Sequence, residues 1–149
     1  MNLSKDLNAS MDGHGKKCAE FMVTIPTTYP QRIETWVLVE HPDRPGKGEF
    51  VKALWDTGAS GTIIHKDIAD RLGLEPCQRC NCQSSRDEKE IDLAKAIVVT
   101  RLCEHSVTVG IDDLCGEDLI IGMDIILDYD FHLTHDPDGQ PICIISEIE

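Results

Sequence analysis

The segment with the clearest potential for chemistry is Asp56–Ser60, whose sequence is Asp-Thr-Gly-Ala-Ser and which follows the apolar pair Leu54–Trp55. The pattern predicts that Asp56 stands at the end of a strand, where apolar neighbours desolvate its carboxylate. Gly58 permits the tight turn that has to follow. A carboxylate in such a place is costly, so we expect it to be used. The alternative is an ordinary turn in which the aspartate caps the backbone and the glycine supplies a positive φ.

A second segment further along the chain, Leu119–Ile126, places Gly122 after three apolar residues. Together the two segments resemble the retropepsins, the single-domain aspartic proteases of retroviruses, retrotransposons and their cellular relatives. Asp-Thr-Gly-Ala is similar to the active-site turn of that family, and Thr62–Leu74 to the segment downstream of it. Leu119–Ile126 is similar to the element that cradles the turn. The resemblance covers residues 50–74 and 117–146.

The resemblance implies an aspartic endopeptidase that works as a homodimer. Only one Asp-Thr-Gly occurs, whereas two-lobed pepsin-like enzymes carry two in a chain more than twice as long. A two-fold axis would bring the second Asp56 into the site. Two neighbouring carboxylates share one proton, so one takes a proton from water and the other donates to the peptide carbonyl. No metal, cofactor or covalent intermediate is required.

The resemblance also assigns roles to the residues after Asp56. Thr57 would hydrogen-bond across the dimer axis, and the Gly58 carbonyl would face the substrate. Gly58, Ala59 and Ser60 are the predicted substrate-binding residues, for an extended polypeptide. Ser60 stands where viral enzymes often have an acidic residue. Ala59 replaces a serine that bonds the carboxylate in pepsin-like enzymes, so we expect a less acidic pH optimum, and activity peaking at about pH 3 would contradict this.

Composition excludes several classes of function. The formal charge of -13 repels phosphate backbones, so we expect no nucleic-acid partner. No apolar run is long enough to span a membrane, and the first residues lack the apolar core of a signal peptide. Seven cysteines cannot all pair internally, which favours a reducing compartment. We therefore expect a soluble cytoplasmic protein without structural disulfides.

Short apolar runs rich in β-branched residues, separated by turn residues, predict strands. Two segments instead predict short helices, His65–Leu72 and Met123–Tyr129. Together with the resemblance, this gives an all-β, retropepsin-like closed β-barrel with two short helices. We place a flexible N-terminal arm at residues 1–18 and the protease domain at 19–149. The predicted strands are Phe21–Ile25, Thr35–Val39, Phe50–Trp55, Ile97–Leu102, Val107–Ile111, Leu119–Ile121 and Ile142–Ile145.

Other polar residues have simpler interpretations than catalysis or metal binding. Asp124 begins the second predicted helix, where a carboxylate caps the helix and suits its dipole. His132 and His135 lie on an alternating strand pattern whose polar residues usually face solvent. Cys77-Gln78-Arg79-Cys80-Asn81-Cys82 suits zinc only with a distant partner such as Cys103 or His105. We predict no metal site.

Two alternatives to a protease remain at this stage. The first is a non-catalytic protein-binding or dimerisation module with the same fold, because the flap expected between Leu74 and Thr100 contains no glycine. The second is a zinc-stabilised interaction domain built on the cysteines. The only candidate for a terminal dimer strand is Ile142–Ile148.

Overall fold

The structure, a computed structural model, describes residues 7–11, 17–44, 46–83 and 88–148. Within these residues the chain forms strands and two short helices, which confirms the all-β prediction. None of these helices is long and apolar enough to cross a membrane. The helices are α1 (Lys66–Leu72) and α2 (Met123–Ile126). The strands are β1 (Leu7–Met11), β2 (Lys17–Thr24), β3 (Glu34–Glu40), β4 (Gly48–Trp55), β5 (Ile63–His65), β6 (Pro76–Gln83), β7 (Glu88–Val99), β8 (Glu104–Asp112), β9 (Leu119–Ile121), β10 (Tyr129–His135) and β11 (Pro141–Glu147).

Six strands close into a barrel in the order β3-β4-β9-β5-β8-β7, because β3 pairs back onto β7. β4 and β9 run parallel, as do β5 and β8, and the other neighbours in the barrel are antiparallel. β6 lies outside the closed ring and pairs only with β7. The predicted closed barrel is confirmed.

Alternation along the strands fills the barrel interior. In β4, Val51, Ala53 and Trp55 are at most 5% exposed, while the residues between them face outward or are half-buried. This period of two is what an apolar-in, polar-out strand requires. The interior side chains are Val37, Val39, Val51, Ala53, Trp55, Ile64, Ala94, Ala96, Val98, Val109, Leu119 and Ile121.

A second sheet, in the order β1-β2-β11-β10, joins the two ends of the chain. β11 lies between β2 and β10, so both of its edges are paired within one chain. A dimer strand at this terminus would need a free edge, and β11 has none. β1 lies within the predicted N-terminal arm, where it pairs with β2. The predicted flexibility of that arm, and the domain boundary at residue 18, stay predictions.

Helix α1 confirms its prediction. Ile68, Ala69 and Leu72 are buried on one face, the His65 ring accepts a hydrogen bond from the Asp67 N–H, and Gly73 ends the helix at φ 67°. That left-handed conformation is the one glycine adopts most readily.

Helix α2 is shorter than predicted. It begins at Met123 as expected but ends at Ile126, and Tyr129 opens β10 opposite Glu147. The buried Tyr129 ring packs against Trp55, with ring centroids 5.6 Å apart. Tertiary packing therefore sets the end of this helix.

Several strands also depart from the prediction. β1, β5 and β6 were not predicted, β10 was indicated only by the alternating pattern around His132 and His135, and β7 begins at Glu88 rather than at Ile97. The last predicted residues of that strand, Thr100–Leu102, form the turn into β8 instead. The polar segment expected at a hairpin tip does join β6 to β7, but residues 84–87 themselves lie outside the described residues.

Candidate active site

Asp56 is the first residue after β4, and contacts with its own loop and with β9 fix its position. Its N–H donates to the Ile121 carbonyl at 2.9 Å, which extends the parallel pairing of β4 with β9. The Gly58 N–H donates to the Asp56 carboxylate at 2.9 Å, and the Ala59 N–H donates to the Asp56 carbonyl at 3.1 Å. The carboxylate is therefore held by a tight turn while its side chain stays partly exposed.

Gly122 supports this turn from behind, and no other residue fits there. A Cβ on Gly122 would lie 2.6 Å from the backbone carbon and oxygen of Gly61 and 2.8 Å from the Ala59 carbonyl oxygen. The next residue, Met123, donates its N–H to that Ala59 carbonyl at 2.8 Å. Direct backbone packing of this kind requires a glycine. The apolar element before Gly122 thus cradles the Asp56 turn.

Thr62 and Asp124 lock the far end of the turn. The Thr62 hydroxyl donates to Asp124 Oδ1 at 2.7 Å and accepts from the Gly122 N–H at 3.2 Å, and the Thr62 N–H donates to Asp124 Oδ2 at 3.1 Å. Thr62 is 1% exposed. Both Asp124 oxygens are therefore engaged in positioning the turn, as well as in a contact with the Ile125 N–H at 3.0 Å.

Sequence reasoning gave Asp124 only a capping role and did not identify Thr62 as its partner. The helix N-cap is Gly122, which has no side chain to cap with. A sequence signal did exist, because Thr62 is a hydroxyl residue between a predicted active-site turn and an apolar strand.

The remaining predicted site residues lie together on the front of the turn. Thr57, Gly58 and Ser60 are exposed, and Ala59 is half-buried. Among the described residues, the Thr57 hydroxyl, the Gly58 carbonyl and the Ser60 N–H have no hydrogen-bond partner. The turn thus presents one carboxylate and several unpaired polar groups on the same surface.

The predicted flap region is an antiparallel hairpin of β6 and β7. Arg79 on β6 pairs with Glu90 and Asp92 on β7, with nitrogen–oxygen distances of 3.6 and 3.1 Å. From Glu88 to Ile91, β7 pairs only with β6, whereas from Asp92 onward it also pairs with β8. The described part of the hairpin contains no glycine.

The cysteines of β6 lie far from their suggested zinc partners. Cys80 pairs with Ile91, whereas Val99, which is eight residues further along β7 (from 91 to 99), pairs with Glu104 beside Cys103. Eight strand residues span about 26 Å, so neither Cys103 nor His105 can complete a site with Cys80. No group of three or more potential ligands for a metal ion is found among the described residues.

Comparisons with known proteins find similarity to aspartic proteases, in sequence and in structure. The family model described as gag-polyprotein putative aspartyl protease matches residues 47–127. A retropepsin-like aspartic protease from Rickettsia conorii has a similar structure, with a TM-score of 0.60 and 16% identity, over 87% of this chain and 94% of that one. The EIAV protease complexed with the inhibitor HBY-793 has a TM-score of 0.53 and 17% identity, over 70% and 93% of the two chains. A search of curated protein sequences gave no match. At these identities the solved structures show a common fold.

Proposed function

The chain belongs to the gag-polyprotein putative aspartyl protease family, and from this membership we propose that Asp56 of two identical subunits catalyses peptide-bond hydrolysis. The chain is then an aspartic endopeptidase whose site lies on the two-fold axis of a homodimer. Free thiols at Cys77, Cys80, Cys82, Cys103, Cys115 and Cys143 support a reducing location such as the cytoplasm.

The observation that carries the proposal is the contrast between the two sides of the Asp56 turn. Behind it, the backbone packs so closely against Gly122 that no side chain fits there, and Asp124 accepts hydrogen bonds from Thr62. On the other side, Asp56 stays partly exposed and Thr57 is exposed. A carboxylate that is held in place by its surroundings and still accessible to solvent is suited to contact a second subunit or a substrate.

A second subunit is the natural source of the second carboxylate. Asp124 also lies close to the turn, but both of its carboxylate oxygens accept hydrogen bonds from Thr62. It therefore cannot serve as the partner of Asp56. A two-fold axis beside the turn would place two Asp56 side chains face to face, and the two exposed Thr57 hydroxyls could pair across it. Dimerisation and activity are therefore coupled.

In the proposed mechanism the two carboxylates share one proton, because two adjacent charges are too costly. The ionised Asp56 takes a proton from a water molecule while the protonated one donates to the scissile carbonyl oxygen. The resulting intermediate is a neutral gem-diol. It breaks down when the peptide nitrogen takes up a proton and leaves as an amine.

The substrate is an extended polypeptide. The unpaired Gly58 carbonyl and Ser60 N–H provide one acceptor and one donor next to Asp56, as a strand-like substrate backbone requires. Ala59 would lie beneath the bound chain, and the β6–β7 hairpin is the segment available to cover it.

The test is cleavage of an unfolded protein mixture between about pH 4 and 7 by the wild type, Asp56→Asn and the control Asp70→Asn. Asp70 is exposed on α1, away from the turn. Asparagine at position 56 can still accept the Gly58 N–H, so the fold should persist. We expect the wild type and the control to cut, Asp56→Asn not to cut, and all three to sediment as dimers. Cleavage by Asp56→Asn would refute the mechanism.

One observation favours a second candidate, a peptide-binding module without turnover. The hairpin that would close over substrate lacks glycine in its described part, and ion pairs of Arg79 with Glu90 and Asp92 connect its two strands. A stiff flap would bind an extended peptide without enclosing it. This candidate takes the lead if the wild type binds peptides as a dimer but cuts none of them.

A further inference from the structure

A cluster of reactive side chains surrounds the turn between β7 and β8, apart from the Asp56 site. We call Thr100, Cys103, His105, Asp128 and Tyr129 the thiol cluster. The Tyr129 hydroxyl lies 2.5 Å from His105 Nε2, 2.6 Å from the Thr100 hydroxyl and 3.0 Å from Cys103 Sγ. The proteolytic mechanism uses none of these groups.

Three members of the cluster form a line of nucleophile, base and acid. Cys103 Sγ lies 3.3 Å from His105 Nε2, and His105 Nδ1 on the other side of the ring lies 3.2 Å from Asp128 Oδ2. In this arrangement the imidazole accepts the thiol proton, and the carboxylate stabilises the imidazolium that results. His105 is 7% exposed, so its ring is held in place by packing.

Tyr129 adds a second donor to the sulfur. Burial, together with the hydrogen bond to Cys103, raises the pKa of Tyr129 above its ordinary value, so its hydroxyl keeps its proton at neutral pH. When His105 is protonated, its Nε2–H donates to the Tyr129 oxygen at 2.5 Å, and the Tyr129 hydroxyl in turn donates to Cys103 Sγ at 3.0 Å. Hydrogen-bond donors to a thiolate favour the charged form over the thiol.

The turn itself holds Cys103 in position. The Thr100 hydroxyl accepts hydrogen bonds from the N–H groups of Leu102 and Cys103, at 3.2 and 3.3 Å, and the Thr100 N–H donates to the Cys103 carbonyl at 3.0 Å. Cys103 is nonetheless exposed to solvent.

Cys143 and Cys115 lack this combination. Cys143 is buried in the core, and burial raises the pKa of its thiol to about 11, which keeps it unreactive. Cys115 is exposed but has no hydrogen-bond partner for its sulfur among the described residues. Cys115 is therefore an internal control that matches Cys103 in exposure but not in surroundings.

From this geometry we propose that Cys103 is a nucleophilic modification site that forms mixed disulfides with low-molecular-weight disulfides. The Cys103 thiolate attacks one sulfur of the small disulfide, a new sulfur–sulfur bond forms, and the original one breaks. The cysteine is oxidised and the departing half is reduced to a thiol, which takes up the proton that His105 removed. The proposal is independent of Asp56.

The test measures modification rates at individual cysteines of the reduced full chain with glutathione disulfide at neutral pH, followed by alkylation and peptide mass spectrometry. We expect Cys103 to react about tenfold faster than Cys115 or more. Asp128→Asn should slow Cys103 about threefold, and His105→Gln about tenfold, because the ion pair is weakened or lost. Neither change should alter the rate at Cys115.

The Asp128→Asn variant allows the proposal to be tested even if the His105→Gln variant does not fold. The Asp128 side chain is 59% exposed, so the variant can fold even if the buried His105 cannot be replaced. Equal rates at Cys103 and Cys115 in the wild type overturn the proposal. So does a fast Cys103 rate that stays the same in folded Asp128→Asn.

Discussion

Thr62 gives the sharpest test of how the Asp56 turn is held. Thr62→Val exchanges the hydroxyl for a methyl group of similar size, so the packing of this 1% exposed residue is preserved. What is lost is the donor to Asp124 Oδ1 and the acceptor for the Gly122 N–H. Thr62→Ser is the matched control, because it keeps the hydroxyl and loses only a methyl group.

The expected magnitude follows from those two hydrogen bonds. A bond to a charged group contributes about 1.5–3 kcal/mol, and leaving a buried N–H without an acceptor costs about 1–3 kcal/mol. The two overlap, so Thr62→Val should lower the free energy of unfolding by about 2–4 kcal/mol. Removing one methyl group in Thr62→Ser should cost about 1 kcal/mol.

The assay is urea unfolding of both variants and the wild type at one fixed protein concentration, since dimer stability depends on concentration. Peptide cleavage by the same samples reports on the turn itself, and we expect Thr62→Val to lose activity under conditions where it is still folded. A Thr62→Val variant as stable as Thr62→Ser, or more so, would show that the hydroxyl does not lock the turn.

Two further predictions concern Gly122 and Cys143. Gly122→Ala would force a methyl group to within 2.6 Å of the Gly61 backbone, so we expect a loss of about 1–3 kcal/mol in urea unfolding together with loss of cleavage. Gly116→Ala is the control for backbone strain alone, because the added Cβ meets no atom within 4 Å but φ is 80°; it should cost about 1 kcal/mol and leave cleavage unchanged. Because burial raises the pKa of Cys143 from 9.0 to about 11, its contribution to stability is complete below pH 9 and is lost as pH rises to 11. Unfolding free energies measured across this interval should fall more steeply for the wild type than for Cys143→Ala, and identical slopes would contradict the assignment.

The parts of the fold that sequence could predict are those with a local signal. Helix α1 shows a four-residue apolar repeat and ends at Gly73, and both features act within one turn of the helix. β4 has an apolar sequence before Asp56, and β9 has one before Gly122. The secondary structure of such elements can be predicted from their own residues, without knowing which parts of the chain pack against them.

The parts that escaped prediction depend on partners far away in the chain. β6 is polar and cysteine-rich, and it forms a strand through its pairing with β7, which is regular from Gln78 to Gln83. The Thr62–Asp124 contact joins residues 62 positions apart, and although Thr62 is a hydroxyl residue beside the predicted turn, no local pattern pairs it with Asp124. The thiol cluster was missed for the same reason, because Tyr129 opens β10 in one sheet while Cys103 lies in the turn between two strands of the other, 26 positions earlier.

The positions of Gly122 and Asp124 in the sequence also affect when the Asp56 turn can form during synthesis and folding. Asp56 is synthesised in the first half of the chain, but its turn gains its backing only from residues more than sixty positions later. Contacts of such long sequence separation form late, because a long loop has to be closed first. A nascent chain that has emerged only as far as β8 therefore carries the Asp-Thr-Gly sequence without a rigid turn. The strand that completes the barrel between β4 and β5 is therefore also the one that brings Gly122 behind the Asp56 turn.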